Sequence, residues 1–203
     1  MIARVAIAIA LSFMAGFVDA LGFMHLGGYF VSFMSGNSTQ MAAALPDGVA
    51  GALLPAGIIG LFVLGVMLGT VLEQRFSSAL GMLILAGLLG IASALSAMKL
   101  DDAAILVTPL VMGAMNMVLR SGQGGMAVTY MTGNLVKLGQ MIVAAFQGGG
   151  SWAWLPYLLL WLGMVAGVFC GVIAYGEIGL VALWLPTIGL IGLALLRTIP
   201  SLR

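Results

Sequence analysis

Residues 27–37 read GGYFVSFMSGN, and residues 124–134 read GGMAVTYMTGN. The two stretches align without a gap, 97 positions apart, with six identical positions that end in Asn37 and Asn134. Three further positions exchange similar residues. A small polar cluster that occurs twice in an apolar chain of 203 residues predicts an internal duplication. This duplication decides the fold, because each half must accommodate the same polar cluster.

The composition of the chain places it in a membrane. Hydrophobic residues make up 63% of the chain, charged residues make up 6%, and the mean hydropathy is +1.22. Soluble domains carry about 25% charged residues, so this chain cannot cover a water-facing surface. The net charge of +1, without a cluster of Lys and Arg, argues against nucleic acid as a partner. The partner that the composition predicts is the lipid bilayer.

Eight apolar segments follow one another along the chain, with short polar turns between them. Each segment is roughly 17 to 24 residues long, which is near the length that spans a bilayer. The segments cover residues 5–24, 29–45, 51–72, 76–98, 103–119, 125–146, 152–175 and 178–196. The turns leave no room for an extramembrane domain, so we predict one all-α transmembrane domain over residues 1–203.

The register of the duplication extends beyond the two quoted stretches. Upstream, it pairs Asp19 with Asn116, and the third segment of each half carries glycines four residues apart. We therefore predict two repeats, residues 1–98 and 99–203, each built from four segments. Duplicated transporters place their substrate site at the interface of the repeats, near the middle of the bilayer.

The number of full spans is open between six and eight. If segments 29–45 and 125–146 re-enter the membrane and return to the same side, six segments cross it. Most basic residues then lie inside, as the positive-inside rule favours. The two halves would have opposite orientations, so the polar clusters would meet from opposite faces. If all eight segments cross, the repeats are parallel.

The polar clusters predict a broken helix and a binding site. Backbone within lipid must satisfy its hydrogen bonds, so such a cluster is typical of a helix that breaks against a cavity. Glycine would allow the break, and the neighbouring Ser, Thr and Asn would cap the helix that resumes. The start of such a helix favours an anionic group. The predicted substrate site comprises Ser35, Gly36, Asn37, Thr132, Gly133 and Asn134.

Four further residues are predicted to supply charge or coupling. Asp19 either carries protons or binds a cation, or it is an interfacial carboxylate or one paired with Arg120 or Lys137. Lys137 lies one helical turn after Asn134, where it either adds positive charge to the site or extends toward the headgroups. Asn116 is the counterpart of Asp19 in the second half. Arg120 is predicted chiefly as a positive-inside anchor.

At these residues the chain resembles a known family, the YoaK-like family of bacterial inner-membrane proteins, which is a domain of unknown function. The resemblance is carried by GFVDALGFMHLGGYFVSFMSGNSTQMA at 16–42 and by TYMTGNLVKLGQ at 129–140. It spans essentially the whole chain and implies a multi-pass protein of the bacterial inner membrane with about six helices. It implies no substrate. The chain departs from the family where Met117, in place of alanine, follows Asn116.

Two classes of function fit these residues. In the first, the protein is a membrane transporter or channel-like carrier for a small polar or anionic solute, bound at the repeat interface. In the second, it is a membrane scaffold or subunit whose polar clusters only allow close helix packing. Because no Ser–His, paired-Asp or metal-ligand cluster stands out, we predict neither an enzyme nor a cofactor. A homodimer is also predicted, from glycine faces at Gly65, Gly69, Gly163 and Gly167.

Overall fold

The computed structural model describes residues 2–118 and 129–198, and the regular structure within those ranges is entirely helical. Short 3-10 turns at Leu45–Asp47 and Gly179–Leu183 join some of the helices. The α-helices are α1 (Ile2–His25), α2 (Met34–Ala43), α3 (Val49–Arg75), α4 (Ser78–Ala97), α5 (Asp101–Val118), α6 (Met131–Phe146), α7 (Leu155–Ile178) and α8 (Trp184–Leu196).

Several of these helices have the length and composition to cross a membrane. Four stretches of the described chain qualify by length and hydropathy: Val5–His25, Val49–Arg75, Ser78–Ala97, and Leu155–Leu196, which contains α7 and α8. The prediction of an all-α membrane protein from composition and apolar segments is therefore confirmed.

The second segment differs from its prediction. We expected an apolar segment of near-spanning length at 29–45, but α2 has only 10 residues, and the chain before Met34 is not helical. At a rise of about 1.5 Å per residue, α2 is roughly 15 Å long, half the thickness of a bilayer core. Its counterpart α6 has 16 residues and begins at the matching position, Met131. The predicted interruption is present in the first half, but it lies before the SGN triplet; in the second half, residues 129 and 130 before the TGN triplet are likewise not helical.

Glycines allow two pairs of helices to approach at backbone distance. On α7, an added Cβ at Gly167 would meet the backbone of Phe13 in α1, so only glycine fits there. On α3, Gly65 lies in the same way against the backbone of Leu110 in α5. Both glycines are buried. The glycine faces from which a homodimer was predicted are therefore packed within the chain, and the homodimer itself stays a prediction.

The fourth helix of each half packs against the other. The hydroxyls of Ser93 in α4 and Thr187 in α8 lie 3.1 Å apart and are buried. Each hydroxyl also donates to the carbonyl four residues earlier in its own helix, Leu89 or Leu183, at 2.9 and 2.8 Å. The two helices therefore meet through matching contacts.

The end of α1 lies beside the beginning of α5. His25 Nε2 is 3.2 Å from Asp102 Oδ1, and His25 Nδ1 is 3.3 Å from the hydroxyl of Tyr175 in α7. Asp101, next to Asp102, accepts a hydrogen bond from Ser96 at the end of α4 at 2.7 Å. Four helix ends thus meet at one end of the bundle.

Candidate functional site

Asp19 holds the segment between α1 and α2 within the bundle. Its Oδ1 atom accepts hydrogen bonds from the backbone N–H groups of Val31 and Ser32, each at 2.8 Å. Asp19, Val31 and Ser32 are all buried. The side chain therefore provides the acceptors that these non-helical N–H groups need in apolar surroundings.

Asn116 makes the corresponding contacts in the second half. Its Oδ1 accepts from the N–H of Thr129 at 3.1 Å, and Thr129 is the residue that aligns with Ser32. The Thr129 hydroxyl lies 2.7 Å from Nδ2 of Asn116 and 3.0 Å from its Oδ1. Because an amide both donates and accepts, Asn116 satisfies both polar groups of Thr129.

The amide of Asn37 bonds to the backbone of its own motif. Its Oδ1 accepts from the N–H of Phe30 at 2.9 Å, and its Nδ2 donates to the carbonyl of Phe30 at 2.6 Å. One turn further along α2, Gln40 donates to the carbonyl of Gly28 at 2.6 Å. Asn37 therefore fixes the loop before α2, and its amide groups are engaged within the chain.

The predicted capping of the two short helices is wrong. The residues that precede α2 and α6 are Phe33 and Tyr130, and neither makes a side-chain cap hydrogen bond. Ser35 and Asn37 lie inside α2, past its first residue, so their side chains cannot cap its start. The same holds for Thr132 and Asn134 in α6.

Gly36 and Gly133 do not open the helix either, because both lie within helices. An added Cβ at Gly36 would collide with the ring of Phe33, and one at Gly133 would collide with the ring of Tyr130. These glycines therefore make room for the aromatic ring that folds over each helix start. The residues with positive φ in the first interruption are Gly27 (67°) and Gly28 (112°), which form the turn after α1.

A cavity of about 730 Å³ lies between the two motifs. Its volume is in the range of small-molecule sites. Most of its lining consists of residues from the first half together with their aligned counterparts in the second half. The counterpart lies 97 positions later for Asp19 and the motif residues, and 102 positions later for the residues of α3, whose counterparts are in α7. These pairs are Asp19 with Asn116, Ser32 with Thr129, Phe33 with Tyr130, Met34 with Met131, Ser35 with Thr132, Phe62 with Met164, and Val66 with Val168.

The structure brings only part of the predicted site to this cavity. Asp19, Asn116, Ser35 and Thr132 line it. The other predicted residues with described side chains do not, and these are Gly36, Asn37, Gly133, Asn134 and Lys137. Arg120 lies outside the described residues.

Lys137 is not brought to the cavity. Its side chain is exposed, whereas Asn134, one turn before it, is buried. Of the two alternatives for Lys137, extension away from the site fits this exposure, because the two residues face different surroundings. In the described structure, Asp19 is bonded to backbone rather than to Lys137.

Sequence reasoning missed several lining residues. Ser32 and Thr129 carry hydroxyls, and Phe33 and Tyr130 carry rings. All four are aligned, similar positions of the duplicated motif, so the duplication itself was the signal that could have found them.

Comparison with known proteins identifies the family of this chain. A family model described as a protein of unknown function, DUF1275, matches residues 7–196. The chain belongs to the DUF1275 family. This DUF1275 chain is also 35% identical over 187 residues to the UPF0700 transmembrane protein RA0705 of Rhizobium meliloti (strain 1021), which covers 90% of the chain and 81% of that relative. No solved structure matches it significantly. The predicted membership of a membrane-protein family of unknown function is thus confirmed.

Proposed function

We propose that this protein is a transporter or channel-like carrier of the bacterial inner membrane that moves a small polar or anionic solute through the cavity between its halves. The observation that carries the proposal is the lining of that cavity by aligned residues from both motifs. A site formed at the interface of two repeats, where short helices begin, is the usual arrangement in duplicated transporters.

We further propose six full spans, with α2 and α6 as re-entrant helices. The contact between His25 and Asp102, at 3.2 Å, supports this topology. With eight spans, the end of α1 and the beginning of α5 would lie on opposite sides of the membrane, about 30 Å apart. With six spans, they lie on the same side, so α1 and α5 run in opposite directions and the halves are inverted repeats.

The course of α2 supports the same proposal. The chain leaves α1 at His25 and passes Asp19, six residues back along that helix, at Ser32. It then returns along α2 until Gln40 reaches the carbonyl of Gly28, next to the end of α1. The segment therefore goes inward as non-helical chain and outward as helix, as a re-entrant segment does.

The chemistry of the lining fits a polar solute. Hydroxyls of Ser32, Ser35 and Thr132 line the cavity together with the starts of α2 and α6. The first turn of a helix leaves N–H groups without intrahelical acceptors and carries partial positive charge, which favours an electronegative group. Asp19 contributes a carboxyl to one side of the cavity. Proton carriage by this carboxyl stays a prediction.

Uptake into proteoliposomes tests the transport proposal. Vesicles with the purified protein are incubated with a defined mixture of isotope-labelled amino acids, carboxylates, amines and sugars, and their contents are measured by mass spectrometry. We expect at least one solute to enter faster than into protein-free vesicles. V66W fills the cavity and should abolish this uptake, whereas V63W, on the exposed side of the same helix, should retain it.

The scaffold function remains the second candidate, since several motif side chains bind the chain's own backbone. Asn37 and Asp19 both act in this way. A scaffold predicts that no solute of the mixture enters above the protein-free rate, with the parent protein or either variant. That result would contradict the transport proposal.

A further inference from the structure

The two sides of the cavity are alike in position but differ in hydrogen bonding. Ser32 is 6% exposed, and its hydroxyl lies close to the Asp19 carboxyl, to which it can donate, but no described group donates to the hydroxyl oxygen. Thr129, its aligned residue, has a hydroxyl that is bonded to Asn116. A buried hydroxyl whose hydrogen-bonding capacity is unfilled is unfavourable, and native proteins rarely keep one without a use.

The side of the cavity that Asp19 and Ser32 form suits a ligand that donates hydrogen bonds. An ionised carboxyl at Asp19 attracts positive charge, and the oxygen of the Ser32 hydroxyl has lone pairs that can accept from a ligand. Both residues line the cavity. Among the described lining residues there is no Lys or Arg to neutralise Asp19. An ammonium group satisfies both residues at once.

The helix starts suit the opposite charge. α2 begins at Met34 and α6 begins at Met131, and both residues line the cavity. Their first turns present N–H groups and positive partial charge, which bind carboxylates. A simple anion would therefore meet the Asp19 carboxyl, and a simple cation would meet two helix starts. A molecule that carries both charges avoids either conflict.

We infer that the solute is a small zwitterion of the amino-acid class, with its ammonium group at Ser32 and Asp19 and its carboxylate at the helix starts. The rest of the solute contacts apolar walls, formed by Phe33, Tyr130 and Phe62 among others. This inference rests on the proposed function, because it names the class of solute for the same cavity.

Binding to the purified full-length protein in detergent tests the inference. The twenty standard L-amino acids are screened one by one for a ligand-dependent rise in Tm. The strongest binder is then compared with the amine and the carboxylic acid of the same carbon skeleton. We expect at least one amino acid to bind, and each of its two single-charge analogues to bind at least about tenfold more weakly. No binding by any amino acid, or equal binding by an analogue, overturns the inference.

Two variants locate the ammonium group. S32A and D19N should each weaken binding of the amino acid and of the amine by about tenfold or more, and should leave binding of the acid analogue unchanged. D19N keeps an acceptor for the Val31 and Ser32 N–H groups, as Asn116 does in the second half. S38A is the control, because Ser38 is exposed and bonds only to the carbonyl of Met34 within its helix. Unchanged affinity in both variants contradicts the assignment.

The outcomes separate this inference from the proposed function. If an amino acid binds as described but does not enter proteoliposomes, the transport proposal fails and the zwitterion site stands. If a simple anion or amine enters and is blocked by V66W while amino acids are not bound, transport stands and the inference fails.

Discussion

Asp19 and Asn116 show how single side chains make an interrupted helix tolerable in a membrane. Each residue extends from a long helix and accepts backbone N–H groups of the segment that follows it. Non-helical backbone at this depth needs such partners, because lipid offers none. The position of an acidic or amide residue at these two points follows directly from that requirement.

Replacement of Asp19 should show the energetic weight of this role. In D19A, the buried N–H groups of Val31 and Ser32 lose their shared acceptor, and each unpaired group costs about 1–3 kcal/mol. We expect D19A to lower Tm in detergent strongly and D19N to lower it little, since asparagine still accepts through Oδ1. Equal Tm values for the two variants would show that the acceptor is not what matters.

Ser32 should behave differently from a structural residue. Because no group donates to its buried hydroxyl oxygen, S32A removes at most the contact with the Asp19 carboxyl, which keeps its two backbone donors. We expect the Tm of S32A to equal or exceed that of the parent. The comparison is T129A, which breaks the bonds to Asn116 and should lose about 1 kcal/mol or more. A marked loss of stability in S32A would mean that the hydroxyl has a structural bond after all.

For single residues, the sequence indicated which positions of the two halves correspond more clearly than it indicated what each side chain binds. The alignment paired Asp19 with Asn116, and the two make corresponding contacts. Asn37 was predicted to bind the solute, yet its amide bonds to Phe30. Whether a buried amide faces a cavity or its own backbone depends on the path of the loop, which residue types alone do not specify.

The helices α2 and α6 begin under an aromatic ring instead of a polar cap. Phe33 and Tyr130 stand before the two helices, and each ring packs where Gly36 or Gly133 has no side chain. No side-chain cap occupies the N–H groups of these helix starts in the described structure, although the N–H of Met131 donates to the carbonyl of Thr129 at 2.9 Å. The sequence analysis gave these aromatic residues no role, because it assigned the break to Gly36 and Gly133 and the caps to the neighbouring polar residues.

The glycines at helix contacts allow a test of how closely α7 packs against α1. G167A places a methyl group against the backbone of Phe13, which cannot move aside without separating α7 from α1. We expect a loss of about 1–3 kcal/mol, as for other overpacked sites. G176A is the matched control on the same helix, because nothing lies near a Cβ at that position. Denaturation of both variants in detergent should leave G176A close to the parent, and a similar loss in both would contradict the close contact.

Helix positions were largely predictable because lipid imposes length and apolar composition on spanning helices. The predicted segment 51–72 corresponds to α3 (Val49–Arg75), and 76–98 corresponds to α4 (Ser78–Ala97). The short helix within the segment at 29–45 was not predictable, because hydropathy does not reveal that the residues before Met34 are not helical. The tertiary contacts of Asp19 and Asn37 hold the non-helical chain before α2.

For the whole molecule, the contact between α1 and α5 distinguishes the two proposed topologies. We expect the double variant H25C/D102C, in a C170A background, to be joined by a short bifunctional thiol reagent, because the native side chains lie 3.2 Å apart. In H25C/S77C, the second cysteine lies between α3 and α4, at the opposite end in a six-span arrangement, and should not be joined. Cross-linking of the second pair in place of the first, measured by mass spectrometry, would favour eight spans.

Thiol accessibility tests directly whether the two motifs converge on a hydrated cavity. Single cysteines at Ser35 and Thr132, in the C170A background, are treated in membranes with a charged thiol reagent from either side, and F169C serves as the exposed, lipid-facing control. We expect S35C and T132C each to react from at least one side, and F169C not to react. Both motif cysteines reacting no faster than F169C would contradict a hydrated cavity between the halves.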